Sequence, residues 1–400
     1  MRAVTYLSTV FDDADNIFAE LVSSVSPHGP EGGIGFLFCN SQVDYGAIVE
    51  KVAAFCPFPV VGGTALGFPF TDASGNEVSA AFMILQKDGL EVSVAVSEPL
   101  EQPRHGEQMR AVFEACGQGL ASEARMVLPL FPLMPNLLTG LFIDDIFALA
   151  GGIPVFGGTT TNDLISTRPA VFADGKAHAD RMVLVMLGGA IRPVFATGNL
   201  VSPTVEYAPT VTQSEGNEVL RVDDMTYCEY LSSIGIAPED RINGVDALMQ
   251  YGPTPVIIQN PEVPDSDVPE VRCISFTDMK RSSAMFSGPV PVGVKLRMSI
   301  LRKQDVDDSV KDCLGKLHER MRTARDEGYT YGALFCISCV ARYFVFVGGD
   351  NSERALMTQA AEGLAPIGFY AFCEIGPSYT TTGNKLANRS HSASIAMCAL

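Results

Sequence analysis

The chain contains 400 residues, and its 28 Lys and Arg against 46 Asp and Glu give a formal net charge of −18. Apolar residues make up 47% of the sequence, which is enough to bury a large core and excludes a globally disordered chain. The surplus of acidic residues disfavours binding to nucleic acid and to anionic membrane surfaces, because both need Lys and Arg on the protein.

The N-terminal sequence and the cysteines indicate in which cellular compartment the protein is located. Residues 1–18 contain one Arg and three Asp but no continuous apolar segment of a secretory signal. The most apolar later segment, 182–201, is interrupted by Gly188, Gly189 and Arg192, so it does not predict a membrane span. Most of the 10 Cys lie in apolar runs, as reduced thiols do, and we therefore expect a cytoplasmic protein.

A repeated unit is the most informative feature of the first half of the chain. FPVVGGT begins at residue 58 and IPVFGGT at residue 153, an offset of 153 − 58 = 95 residues. Each follows an apolar run and a helix-like stretch, at 45–55 and at 137–149. Each copy is predicted to contain a strand, a helix, a strand, a Gly-Gly-Thr turn and two further strands. We expect an α+β layered sandwich with pseudo-two-fold symmetry over about residues 30–200.

The rest of the chain predicts a second α+β domain. Its longest helical pattern covers 306–328, and two strand-like runs follow at 333–339 and 342–347. We therefore divide the chain into a duplicated domain, residues 1–215, and a second domain, residues 216–400.

The two Gly-Gly-Thr segments are candidate ligand-binding elements. Glycines let backbone N–H groups approach a ligand closely, and the Thr hydroxyls add polar contacts. The alternative is that each Gly pair only forms a tight turn or bulge. Neither segment continues as a phosphate-binding loop or a dinucleotide fingerprint, so no cofactor is predicted. The candidate residues are Gly62, Gly63, Thr64, Gly157, Gly158, Thr159, Thr160 and, just beyond the second segment, Asn162 with Asp163.

Two further candidates lie in the second half. Cys336 and Cys339 form a CxxC inside a strand-like run, where residues three apart point to opposite faces, so we expect buried thiols and no metal site. Arg342 lies in apolar surroundings and requires an anionic partner. That partner is either a ligand carboxylate or a structural acid such as Glu374.

Several segments together resemble the FIST domain family, which occurs in bacterial sensory proteins and in a eukaryotic F-box protein. The N-terminal half carries the resemblance in VVGGTALG, PVFGGTTTND, VFADGKAHADRMVLVML and FATGNLVSPTVEYAPTVT. The C-terminal half carries it in VRCISF, FSGPVPVGVKLRM, FCISCVAR, PIGFYAFCEIGP and NRSHSAS. The resemblance covers nearly the whole chain and implies a sensory or signal-transduction module that binds a small ligand such as an amino acid, with a signalling protein as a further partner.

The chain departs from the family pattern at two places. Cys373 stands where the family has Gly before the Glu of its GEIGP-like segment, and Ala387 to Ser390 stand where it has His-Asn-x-Thr. If these positions contact a ligand, the specificity differs from that of relatives.

Three hypotheses about function remain open at this point. The first is a small-ligand sensor with its cleft between repeats or between domains, in which Arg342 meets a carboxylate, Glu374 meets an ammonium group or positions Arg342, and Asn388 adds a polar contact. The second is an enzyme with Cys339 as nucleophile, which requires an exposed thiol of lowered pKa. The third is an interaction scaffold whose acidic N-terminal region meets a basic partner.

Overall fold

Three mixed sheets form the centre of the protein, and each contains two parallel strands joined by a helical crossover. The structure is a computed structural model of the chain. It describes residues 2–23, 25, 33–134, 138–162, 168–199, 201–203, 205–239, 250–259, 266, 268–346, 351–360, 363–380 and 385–400.

The first copy of the repeated unit builds the first sheet. It consists of β1 (Arg2–Ser8), α1 (Ala14–Val22), β2 (Ile34–Asn40), α2 (Tyr45–Phe55), β3 (Val60–Ala65) and β4 (Ala80–Gln86). The spatial order is β1-β4-β2-β3, with β2 and β3 parallel and the other pairs antiparallel. Helix α2 starts where Asp44 accepts a hydrogen bond from Ala47 N–H, and it buries an apolar stripe of Ile48, Val49 and Val52.

The second copy builds the second sheet in the same way. It consists of β5 (Leu90–Val96), a 3-10 turn (Gln102–Arg104), α3 (His105–Gly117), β6 (Ala124–Pro132), α4 (Thr139–Ala150), β7 (Gly157–Thr160), the short hairpin strands β8 (Val171–Ala173) and β9 (Lys176–His178), and β10 (Val183–Gly189). The spatial order is β5-β10-β6-β7, again with only the last pair parallel. The predicted α+β class and the duplicated unit are confirmed.

A third sheet begins with β11 (Val194–Gly198), after which the chain makes an insertion of small antiparallel sheets. The insertion contains β12 (Ser202–Pro203), β13 (Val211–Glu215), β14 (Glu218–Val222), β15 (Met225–Thr226), α5 (Tyr227–Ser233), β16 (Val256–Gln259), β17 (Val271–Arg272), β18 (Ile274–Asp278), β19 (Ser283–Phe286) and β20 (Lys295–Ile300). Its own apolar core contains the buried side chains of Tyr227, Tyr230 and Tyr251.

The chain then completes a third copy that the sequence pattern did not reveal. It adds α6 (Lys303–Asp326), β21 (Ala333–Cys339), α7 (Val340–Val345), α8 (Ser352–Ala360), β22 (Ala365–Ala371), the hairpin strands β23 (Glu374–Tyr379) and β24 (Leu386–His391), and β25 (Ile395–Ala399). The spatial order is β11-β25-β21-β22, with β21 and β22 parallel. This is the strand order of the first two sheets, so the repeat is three-fold and the predicted pseudo-two-fold symmetry was incomplete.

The three copies close into a cycle, because each covers the outer edge of another with the segment after its third strand. The hairpin β8–β9 of the second copy extends the first sheet beyond β3, and the hairpin β23–β24 of the third copy extends the second sheet beyond β7. Thr64 N–H in β3 donates to Ala170 O of the second copy at 2.9 Å, and Thr159 N–H in β7 donates to Cys373 O of the third at 3.0 Å. Tyr370 N–H in β22 donates to Gly67 O of the first copy at 3.2 Å. The inner faces of all three sheets share one apolar core.

Two predicted elements differ from the structure. The Gly-Gly-Thr segments lie in β3 and β7 and are not turns. The run 342–347 was predicted as a strand from its aromatic and β-branched residues, but 340–345 form α7. The reason is topological, since β21 and β22 are parallel and a parallel connection requires a crossover, in which α7 and α8 lie. None of the described helices has the length and apolar character to span a bilayer.

Gly62, Gly157 and Gly368 occupy equivalent positions and are required by close packing. A Cβ added to them would lie 1.7, 2.0 and 1.6 Å from the carbonyl oxygens of Leu37, Pro129 and Cys336, each on the parallel neighbouring strand. We expect Gly62→Ala to lower the free energy of unfolding by about 2–3 kcal/mol, measured by urea denaturation. Gly117→Ala, whose added methyl group meets no atom within 4 Å, is the control and should be neutral or stabilising.

Candidate functional site

The two Gly-Gly-Thr segments contact each other, but as packed strands. A Cβ on Gly63 would lie 2.4 Å from Cγ2 of Thr160, so the two copies are in direct contact there. Thr161 N–H donates to Thr64 O at 3.3 Å, and Leu66 N–H donates to the Thr161 hydroxyl at 3.0 Å. Gly62, Gly157 and Gly158 likewise face neighbouring backbone or side chains.

The Thr hydroxyls of equivalent strands have different environments. The Thr64 hydroxyl accepts a hydrogen bond from Ala170 N–H at 2.9 Å. The Thr159 and Thr160 hydroxyls are buried without a hydrogen-bond partner in the part of the chain that the structure describes. Asn162 is buried just beyond β7, and Asp163 lies outside the described residues.

Because of this difference, substitution of Thr by Val should change the free energy of unfolding differently at the equivalent positions 64 and 159. Thr64→Val removes the acceptor of a buried N–H, and we expect a loss of about 1–3 kcal/mol in the free energy of unfolding. Thr159→Val removes a hydroxyl that has no partner and should be neutral or stabilising. Chemical denaturation of both variants checks this, and equal losses would contradict the assignment.

Arg342 has a structural partner, and that partner is Glu353 and not Glu374. Both side chains are fully buried, and Nη2 of Arg342 lies 2.8 Å from Oε1 of Glu353. Nη1 donates to the Ser309 hydroxyl at 2.7 Å and Nη2 to Val306 O at 3.3 Å. Its charge is therefore satisfied inside the third copy, which leaves no direct role in holding a ligand.

Glu353 was missed by the sequence analysis, although a signal existed. It lies in the first turn of α8, and both Glu353 and Met357 are buried in that helix. A Glu on the buried face of an amphipathic helix is a candidate partner for a buried Arg in the same domain.

Glu374 occupies a core position that is apolar in the other two copies. The carbonyls of Gly67, Ala170 and Cys373 are equivalent, because each accepts the backbone hydrogen bond that links two copies. The residues that follow them, Phe68, Val171 and Glu374, are therefore equivalent as well. Glu374 is fully buried, and its Oε2 accepts a hydrogen bond from the Ser394 hydroxyl at 2.9 Å.

The second carboxyl oxygen of Glu374, Oε1, has no hydrogen-bond partner among the described residues. Burial raises the pKa of the Glu374 carboxyl well above its ordinary value, so the side chain is held in its neutral form.

The cysteines do not form an activated site. Cys339 is buried at the end of β21, and burial raises its pKa well above that of an ordinary thiol. Burial has the same effect on Cys336. A reactive cysteine needs a stabilised thiolate, so these thiols do not fit the nucleophile of the second hypothesis. No metal-holding group of His, Cys, Asp and Glu occurs within the described ranges.

Asn388 bridges two backbone groups at the edge of the second sheet. Val155 N–H donates to Oδ1 of Asn388 at 2.8 Å, and Nδ2 donates to Ile153 O at 2.9 Å. The carboxamide thus completes the hydrogen bonds of the segment that leads into β7.

Two surface grooves lie between copies. Groove 1, of about 680 Å³, lies between the first and second copies and is lined by Glu50, Ala53, Ala54, Phe58, Pro59, Val60, Val61, Val94, Asp174, Gly175 and Lys176. Groove 2, of about 570 Å³, lies between the first and third copies and is lined by residues 2–5 of β1, Tyr331, Gly332 and residues 363–366. Clefts between structural units are preferred places for small ligands.

The chain belongs to the FIST family. The FIST N domain matches residues 33–225 and the FIST C domain matches residues 226–377. FIST domains are sensory and signal-transduction domains, and membership in this family is consistent with a sensory role for the protein. A comparison with curated proteins finds no match.

Several solved structures are distantly similar to this chain. A cyanuric acid hydrolase described as an evolutionary innovation by structural concatenation is 9% identical, with 67% of this chain and 84% of that chain covered and a TM-score of 0.29. The hydrolase from A. caulinodans is 8% identical, with 99% and 98% covered and a TM-score of 0.33. PurL of T. maritima in complex with FGAR is 11% identical, with 100% and 72% covered and a TM-score of 0.20. The three-fold repeat described above follows from the strand pairing of this chain alone.

Proposed function

We propose that the protein senses a small polar molecule, such as an amino acid, by binding it in groove 1. The observation that carries the proposal is the position of the groove. Its walls come from α2 and the start of β3 in the first copy and from β5 and the β8–β9 turn in the second. A ligand there contacts both copies and stabilises one arrangement of them, which is how binding is converted into a signal.

The charges of groove 1 suit a molecule with ends of opposite sign. Glu50 and Asp174 offer carboxylates, Lys176 offers an ammonium group, and all three are exposed. These residues take the roles that the sequence analysis gave to Glu374 and Arg342, which are both buried. The segments with Gly62 and Thr64 continue β3 inward from the groove, and their direct contact with a ligand stays a prediction, as does a signalling protein partner.

A thermal-shift screen against the amino acids and other small carboxylates and amides tests the proposal. A compound at 100 times its Kd should stabilise the protein by about 2.7 kcal/mol. Ala54→Phe places a ring in the groove and should abolish the shift, while Ala111→Phe, at an exposed position of α3, should preserve it. No shift with any compound, or equal shifts in both variants, would contradict the proposal.

A further inference from the structure

The side-chain carboxamide of Asn388, in the third copy, hydrogen-bonds one strand edge of the second copy. This contact shows which chemical group complements the equivalent strand edge in another copy. In the second copy, Pro154 O accepts a hydrogen bond from Val127 N–H at 2.9 Å on the side of β6. The groups of its neighbours, Val155 N–H and Ile153 O, point to the opposite edge, where both are bound by the side chain of Asn388.

The equivalent groups of the first copy face groove 1. Pro59 O accepts a hydrogen bond from Gly35 N–H at 2.8 Å, as Pro154 O does in the second copy. Since neighbouring residues of a strand turn their polar groups to alternate edges, Phe58 O and Val60 N–H point away from β2. Both residues line groove 1.

No group in the described part of the chain takes the place of Asn388 there, because the covering hairpin is shorter. In the second sheet, β23 and β24 pair over six residues each, and Asn388 lies opposite Pro377 in that ladder. In the first sheet, β8 and β9 pair over three residues each, and the hairpin already turns at Asp174 and Gly175, the positions that the β3–β8 register sets opposite Val60 and Pro59.

The third copy differs from the first at the position equivalent to Val60. The equivalence of Gly368 with Gly157 and Gly62 places Pro366 at the position of Val155 and Val60. Proline has no N–H group, so groove 2 cannot offer the donor half of the pair.

We infer that groove 1 binds a small molecule through a primary carboxamide, which rests on the proposed function of that groove. The amide oxygen of the ligand accepts from Val60 N–H, and the amide nitrogen donates to Phe58 O. A carboxylate has no proton to donate and places an unpaired charge beside the carbonyl, so the site selects amides over the corresponding acids.

The first test compares amides with their acids on the intact protein by calorimetric titration. The probe pairs are glutamine with glutamate, asparagine with aspartate, and nicotinamide with nicotinate. We expect at least one amide to bind, at least tenfold more tightly than its acid. An acid that binds as tightly as or more tightly than its amide would overturn the inference.

Two variants separate this inference from the proposed function. Val60→Pro removes the N–H donor and introduces the residue that the third copy already has at the equivalent position; it should weaken amide binding at least tenfold. Ala54→Phe obstructs the groove and should abolish binding of any ligand there. A ligand lost in Ala54→Phe but kept in Val60→Pro overturns the carboxamide inference and leaves the groove intact as a site. Binding that is unchanged in both variants, or absent for every probe, overturns both proposals. If Val60→Pro does not fold, the amide–acid comparison decides the inference alone.

Discussion

Glu374→Gln should stabilise the protein at neutral pH, and the gain should increase with pH. The native state holds the Glu374 carboxyl protonated, while in the unfolded chain it ionises near its ordinary pKa of 4.5. Above that pH the unfolded state is favoured by about 1.4 kcal/mol per pH unit until the native pKa is reached. Glutamine does not ionise and can still accept the hydrogen bond of the Ser394 hydroxyl. The difference in the free energy of unfolding between the two proteins therefore grows with pH until the native pKa is reached.

The measurement is chemical denaturation of both proteins between pH 4 and pH 8. We expect equal stability near pH 4 and a growing advantage of the variant above about pH 5. Glu114→Gln, at an exposed position of α3, is the matched control and should show no pH-dependent difference. A constant difference between Glu374→Gln and the unmodified protein would show that Glu374 ionises normally in the native state.

Arg342→Met should destabilise the protein by about 3–5 kcal/mol. The substitution leaves Glu353 buried without its cation, and the cost of an uncompensated buried charge exceeds that of losing the pair. The remaining partners of Glu353, the Ser338 hydroxyl at 2.9 Å and the Tyr370 hydroxyl at 3.0 Å, are neutral. Urea denaturation measures the loss.

A double variant tests the reason for that loss. Arg342→Met combined with Glu353→Leu removes both charges and should recover most of the stability lost in the single variant. Arg104→Met breaks the exposed pair with Glu107 and should cost far less stability than Arg342→Met. Additive losses in the double variant would mean that packing, and not the unpaired charge, dominates at Arg342.

The sequence predicted the two copies of the repeated unit that contain Gly-Gly-Thr. It did not predict the third copy, which lacks this motif. The third copy retains only Gly368, the one glycine that the strand contact requires, and continues with Phe369 and Tyr370. A long insertion also separates β11 from α6 in that copy. Local patterns therefore identified two copies, and only strand pairing identifies the third.

The candidate site was predicted less well, for a physical reason. Charged partners such as Arg342 and Glu353 are brought together by packing between elements, and the sequence does not show which pairs form. A ligand-binding cleft between repeats or between domains was predicted and stays a prediction, and groove 1 is a candidate for it because it lies between two copies. Its opening depends on the length of the β8–β9 hairpin, a property that only the three-dimensional comparison of copies reveals.

Hydrogen exchange at Val60 tests the central claim most directly. The amide should exchange more slowly when the protein is saturated with the compound that gives the largest thermal shift, because the ligand then occupies Val60 N–H. Val155 N–H, already bound to Asn388, should change little and serves as the internal reference. A ligand that stabilises the protein while exchange at Val60 remains unchanged would contradict the carboxamide contact with Val60 N–H that we infer in groove 1.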